Sequence, residues 1–268
     1  MSNASPMSAE PTNEQDPSGS NSEEGTMTIW EHLEELRSRI IRMIIAALAG
    51  GAGAWIYRED VLKWLVKPFQ EAGGIDLNFQ SPAAMFISYV RIAAMAGFIF
   101  ALPIILYQVW AFIAPGLYSR EKKFAIPFVL SSCGLFALGG WFGWRFAFPL
   151  AFKYLLSFAG TVGGIQIKAT VMVSEYLDFV SRMLLAFGFA AELPVLVFFL
   201  AIAGLVDHKS LIKFFRYFVV IAFVISAILT PPDPLSQLML ALPLCLLYGI
   251  SILVAYIFSK RKKDSADS

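Results

Sequence analysis

Apolar residues fall into six runs, separated by polar stretches that hold most of the charge. The runs cover about residues 40–57, 84–113, 124–148, 176–205, 217–229 and 235–258. Five of them reach the roughly 18–20 residues that a helix needs to cross a hydrocarbon core about 30 Å thick. The fifth offers only thirteen before Thr230-Pro231-Pro232-Asp233-Pro234 stops it, and these supply about 20 Å of helix. Uninterrupted apolar runs, rather than ten-residue alternating segments, select helices over a barrel, because a backbone N–H in hydrocarbon must find its partner within its own segment. The pattern therefore predicts an all-α polytopic membrane protein with six transmembrane helices, the fifth of them short.

Thr28-Ile29-Trp30-Glu31 reads as a capping box, so a helix is predicted to begin near Thr28. Trp30, Leu33, Leu36 and Ile40 then follow at helical spacing, while Glu31, Glu34, Glu35, Arg37 and Arg39 crowd the remaining surface. The first turns are expected on the membrane surface, ahead of the apolar part of the helix. Residues 58–82 hold Pro68, Gly73, Gly74 and Pro82 and read as an extramembrane loop with one short helix around Val61 to Phe69. Residues 149–175 read as a second such loop, with Gly160, Gly163 and Gly164 at its centre. Residues 1–27 are rich in Ser, Asn, Pro, Gly and acidic side chains and carry no Lys or Arg. They read as a disordered acidic tail, without the basic and apolar regions of a secretory signal; translation from Met27 stays open. The six-helix domain is placed at 28–259, and 260–268 form a basic, then acidic tail.

Composition agrees with the pattern. Over 268 residues the chain is 57% hydrophobic and 15% charged, outside the usual balance of a soluble domain. The distribution of charge sets the orientation. With an even number of spans both termini share a side, and thirteen of the 21 Lys and Arg then fall there: Arg37, Arg39, Arg42, Arg120, Lys122, Lys123, Lys209, Lys213, Arg216 and the four of the C-terminal tail. The excess of Lys and Arg in inner loops predicts that both termini are cytoplasmic. Cys133 and Cys245 lie inside apolar runs, and nothing suggests a disulfide framework or a metal site. His32 and His208 both sit in predicted surface turns, and the chain has no His-Glu-x-x-His, phosphate-binding glycine loop or Gly-x-Ser-x-Gly. An enzyme is not expected.

Three carboxylates carry what chemistry remains. Glu35 stands at the mouth of the first helix, four residues before Arg39, with which it forms an i,i+4 pair worth about 0.3–0.5 kcal/mol. Glu121 lies between Arg120 and Lys122-Lys123 in the loop after the second run, either a solvated charge or half of an anionic site with Glu35. Glu192 lies well inside the fourth run, where an ionised carboxylate costs about 2.5–3.5 kcal/mol or more. It is expected to be neutral, hydrogen-bonded or facing a wet cavity, with Gln237 as a candidate partner, or else to tie two helices together in its protonated form. Pro194 removes a backbone hydrogen bond two residues later, so a bend is predicted there.

Several motifs in a fixed order resemble the TatC family, the signal-peptide receptors of the twin-arginine protein translocase: His32-Leu33-Glu34-Glu35-Leu36-Arg37, Tyr107-Gln108-Val109-Trp110-Ala111-Phe112-Ile113-Ala114-Pro115-Gly116-Leu117, Phe148-Pro149-Leu150-Ala151-Phe152, Ala190-Ala191-Glu192-Leu193-Pro194 and Thr230-Pro231-Pro232-Asp233. The resemblance spans about Thr28 to Ser259. It implies a concave, glove-like bundle in the bacterial inner membrane, with both ends cytoplasmic. It implies that Glu35 and Glu121 bind the paired arginines of a folded cargo's signal peptide, that Leu33 and Phe112 line the patch and that Arg37 helps hold it. Glu192 and Gln237 become an intramembrane polar site, and Thr230, Asp233 and Gln237 a docking region for the single-helix partners TatA and TatB. It further implies a homo-oligomer within the receptor complex, no cofactor, no nucleic-acid partner, and export driven by the proton-motive force. The alternative function is a proton-coupled secondary transporter built on Glu192; against it, the chain shows no internal repeat with paired broken helices.

Overall fold

A computed structural model describes residues 29–74, 76–113, 125–202, 206–230 and 232–264. The described elements, in chain order, are α1 (Ile29–Ile56), α2 (Arg58–Glu71), β1 (Leu77–Asn78), α3 (Pro82–Ile113), α4 (Ala125–Phe142), a π-helical turn (Gly143–Ala147), α5 (Phe148–Leu156), β2 (Gly160–Val162), β3 (Ile165–Ile167), β4 (Val171–Met172), α6 (Val173–Ala191), α7 (Leu193–Ile202), α8 (His208–Leu229) and α9 (Pro234–Asp264). Six helical stretches among them are long and apolar enough to cross a membrane: Leu33–Ile56, Pro82–Phe112, Ile126–Leu156, Val173–Ala201, His208–Leu229 and Pro234–Ile257. All six predicted spans are present.

Three boundaries differ from the sequence reading. The fifth helix does not start at Tyr217. It begins at His208, runs for 22 residues and is about 33 Å long, so it is the shortest of the six spans yet long enough to cross. The apolar count stopped at Lys213 and Arg216, whose aliphatic stems let a membrane helix continue through them. The third span likewise runs past Phe148 to Leu156. Its passage through Pro149 is explained by the π-helical turn before it. There the Phe148 N–H bonds back five residues to the Gly143 carbonyl, and this widening relieves the clash that a proline ring makes with the preceding turn. Finally, the stretch after α5 is not simply a loop: β2 and β3 form a hairpin, and β4 pairs in parallel with β1, Leu77 opposite Val171 and Asn78 opposite Met172.

The core gathers around α6, with Tyr176, Leu177, Val180, Met183 and Phe187 almost fully buried against Phe148 and Phe152 of α5. Helix α2 closes one end of this core. Its Leu65 and Phe69 are buried, the Tyr176 hydroxyl donates to the Leu65 carbonyl at 2.6 Å, and the Trp144 indole donates to the Trp64 carbonyl at 3.1 Å while the two indoles stack. By contrast, α1 leans on α3 with little of its surface covered. That contact is made by small residues: a Cβ added at Gly97 of α3 would lie 2.2 Å from the Gly51 nitrogen of α1, closer than any side chain permits. In hydrocarbon, where apolar surface gains nothing by leaving the lipid, such close backbone packing is the main source of helix association. The capping box falls at Thr28, outside the described residues, and helix α1 begins at Ile29.

Candidate functional site

The polar cluster at the start of α1 is built from one helical turn and one neighbour. Glu35 and Arg39 lie four residues apart and therefore on one face. The Arg39 Nε donates to Glu35 Oε1 at 3.0 Å, and a second guanidinium nitrogen, Nη2, donates to the same oxygen. The remaining arm, Nη1, donates to the Gln108 side-chain carbonyl of α3 at 3.1 Å. Gln108 is buried between the two helices. The second carboxylate oxygen, Glu35 Oε2, is buried and has no hydrogen-bond partner among the described residues. An open hollow of about 410 Å³ adjoins the pair, lined by Glu34, Glu35, Ser38, Arg39 and Arg42.

The other residues expected here are placed unevenly. Leu33 is half exposed and Arg37 is exposed, on the same turns of α1 as Glu35. Phe112, partly buried, follows Gln108 by one turn at the end of α3, which puts both on one face of that helix. Glu121 lies outside the described residues. The structure thus joins Glu35 to Arg39, as the i,i+4 spacing predicts, and adds Gln108. Its signal in the sequence is a single amide within an otherwise apolar and aromatic run.

A second polar position occurs where the fourth span breaks. Helix α6 ends at Ala191, α7 begins at Leu193 and Glu192 forms the turn between them, its N–H bonding to the Phe189 carbonyl at 3.1 Å. The helix is interrupted at Glu192, two residues before Pro194. Ser132 and Cys133 of α4 lie near the Glu192 side chain, yet the Ser132 hydroxyl oxygen and Glu192 Oε1 are both buried without a hydrogen-bond partner among the described residues. The partner expected for it is otherwise engaged: the Gln237 amide nitrogen donates to the Phe223 carbonyl of α8 at 3.1 Å. Gln237 stands near the start of α9, which packs along α8, so its amide reaches the backbone of that helix.

Thr230 and Asp233 both terminate helices. The Thr230 hydroxyl donates to the Ser226 carbonyl at 2.8 Å at the end of α8. Asp233 caps α9, its Oδ1 accepting the Ser236 N–H at 2.8 Å, with Pro234 at the first helical position where a missing N–H costs nothing. The other oxygen, Oδ2, is buried and unpartnered among the described residues. Among those residues no group of three or more His, Cys, Asp or Glu side chains is placed to hold a metal ion.

The profile of the family described as Sec-independent protein translocase protein (TatC) matches residues 31–243. Two relatives carry that same description. The Desulforapulum autotrophicum protein is 40% identical over 91% of this chain and 89% of its own length. The Aquifex aeolicus protein is 41% identical over 89% of this chain and 98% of its own. Among solved structures, a crystal structure of the twin-arginine translocase receptor TatC is 40% identical, covers 85% of this chain and all of its own, and superposes with a TM-score of 0.77. A crystal structure of that receptor in the detergent DDM gives 0.75 at 41% identity.

Proposed function

The chain belongs to the TatC family of Sec-independent protein translocases and is a multi-pass membrane protein, and from that membership we propose that it is the receptor that binds the paired arginines of signal peptides on folded cargo. In this reading both termini are in the cytoplasm, the membrane is the bacterial inner membrane and TatA and TatB family single-helix proteins assemble on the receptor. The proton-motive force drives export.

The observation that supports it best is the Glu35 carboxylate, held near the start of α1 beside an open hollow, with one oxygen lacking a hydrogen-bond partner among the described residues. A buried, half-satisfied carboxylate in a setting of partial water exclusion favours a ligand that brings its own donors, and a guanidinium brings five in a planar fork. A lysine ammonium presents a point charge without that geometry, so paired lysines bind worse than paired arginines. Each charge-assisted hydrogen bond is worth about 1.5–3 kcal/mol, which amounts to roughly 10- to 100-fold in affinity. Glu121 contributes the second anionic group, and Leu33, Arg37 and Phe112 surround the peptide.

Photocrosslinking of a twin-arginine signal peptide to the protein in membranes tests the assignment. Glu35→Ala and Glu121→Ala are each expected to abolish the crosslink, whereas Glu192→Ala keeps it and impairs later assembly or transport. Retention of the crosslink in both cytoplasmic variants would remove the receptor role from these residues. Glu192 Oε1, buried without a hydrogen-bond partner among the described residues, is the observation that favours a proton-carrying transporter instead. That alternative requires Glu192→Ala to abolish proton-coupled flux while peptide binding plays no part.

A further inference from the structure

In the structure the carboxylate assigned to a ligand's arginine already holds one. Two nitrogens of Arg39 share Glu35 Oε1, and the third is fastened by Gln108. The Arg39 and Glu35 side chains are only 16% and 23% exposed, so the pair is screened from water well beyond an ordinary surface ion pair. Glu35 Oε2 is buried. An incoming guanidinium therefore competes with Arg39 for Oε1, and the buried Oε2 becomes reachable only as the internal pair opens.

The internal contact is also incomplete. Both donors crowd one oxygen and leave the other unpaired among the described residues, whereas a side-on fork satisfies both at once. Residues four apart on one helix approach each other along its surface, and here that approach gives a one-oxygen contact. A ligand arriving from outside the helix is free to meet the carboxylate edge-on. The hollow lined by Glu34, Ser38 and Arg42 gives the displaced side chain room, with Glu34 as a replacement acceptor.

We propose that Arg39 is a resident competitor: it occupies Glu35 in place of a ligand arginine, Gln108 latches it there, and signal peptides bind by exchanging their guanidinium for it. This rests on the reading of Glu35 as part of the signal-peptide site. The exchange sharpens selectivity, because an arginine replaces the lost contact with a better fork and a lysine does not.

The test measures binding of a fluorescent twin-arginine peptide, and of its twin-lysine counterpart, to the full-length protein in lipid nanodiscs. Arg39→Lys keeps the charge and removes the fork. It is expected to bind the twin-arginine peptide about three- to tenfold more tightly and to narrow the preference for arginine over lysine. Gln108→Leu, which loosens the latch and leaves Arg39 intact, shifts both readouts the same way to a smaller extent. Unchanged or weaker binding by Arg39→Lys, or weaker binding by Gln108→Leu, overturns the competitor and makes Arg39 a scaffold for the site. Glu35→Gln separates the two layers. If it binds the peptide as tightly as the parent chain, the site assignment itself fails; if it loses binding while Arg39→Lys gains none, only the competitor fails.

Discussion

Asp233 holds the start of α9 through one of its two oxygens. Its Oδ1 caps α9, and its Oδ2 is buried without a partner among the described residues. The cap alone predicts that Asp233→Ala costs about 0.5–2 kcal/mol, whereas Asp233→Asn, a comparably good cap, costs little. Thermal unfolding in detergent measures both. If Asp233 also docks a partner helix through its charge, Asp233→Asn will keep the parent melting temperature and still lose co-purification of TatB. Parent-level co-purification in that variant would leave the residue as a helix cap alone. Glu192 differs, because its neighbours Ser132 and Cys133 belong to another helix, and no local spacing in the chain indicates them.

Helices α1 and α3 meet through backbone rather than side chains. Gly50, Gly51 and Gly97 bring the two within the radius of a methyl group, and the contact places Gln108 beside Arg39. Gly97→Val is expected to push α1 away and weaken this polar cluster, with the rest of the bundle retained. The measurement is crosslinking by a short bis-maleimide between cysteines placed at positions 39 and 108, whose native side chains meet only at their tips; its yield should fall with Gly97→Val. Equal crosslinking in both would show that the interface tolerates the added volume. A similar approach occurs between α4 and α6, where a Cβ at Gly139 would lie 2.3 Å from the Phe187 carbonyl oxygen. Glu192 follows the end of α6 directly, so each polar site lies on a helix pair that also holds a glycine-mediated crossing.

The bundle as a whole is asymmetric. One end is closed by α2, the Trp64–Trp144 stack, the Tyr176–Leu65 hydrogen bond and the β1–β4 pairing, while the polar cluster of α1 lies toward the other. The lysines and arginines concentrate in the loops on the α1 side, which predicts that the capped end faces outward. Labelling with a membrane-impermeant maleimide checks this: Lys63→Cys should react from outside intact cells and Lys209→Cys only after lysis. The native Cys133 and Cys245 lie within spans and give a low background. The reverse pattern would move the proposed recognition patch to the wrong side of the membrane for a cytoplasmic ligand.

The six spans, their order and the break at Glu192 could be read from the chain, because hydrocarbon forces each segment to satisfy its own backbone and so makes the apolar pattern a local property. The pairing of Glu35 with Arg39 was equally legible, since four residues on one helix fix their separation. The folded molecule was needed for contacts between distant segments. Gln108 reaches Arg39 across 69 positions, Gln237 turns to Phe223 and not to Glu192, and residues 77–78 pair with 171–172. These depend on which helix faces which, and a lone amide or a two-residue strand carries no periodicity to announce its partner. The start of α8 escaped for a related reason: hydropathy counts a lysine as polar, whereas a lysine's aliphatic stem is compatible with a membrane helix provided its ammonium reaches water.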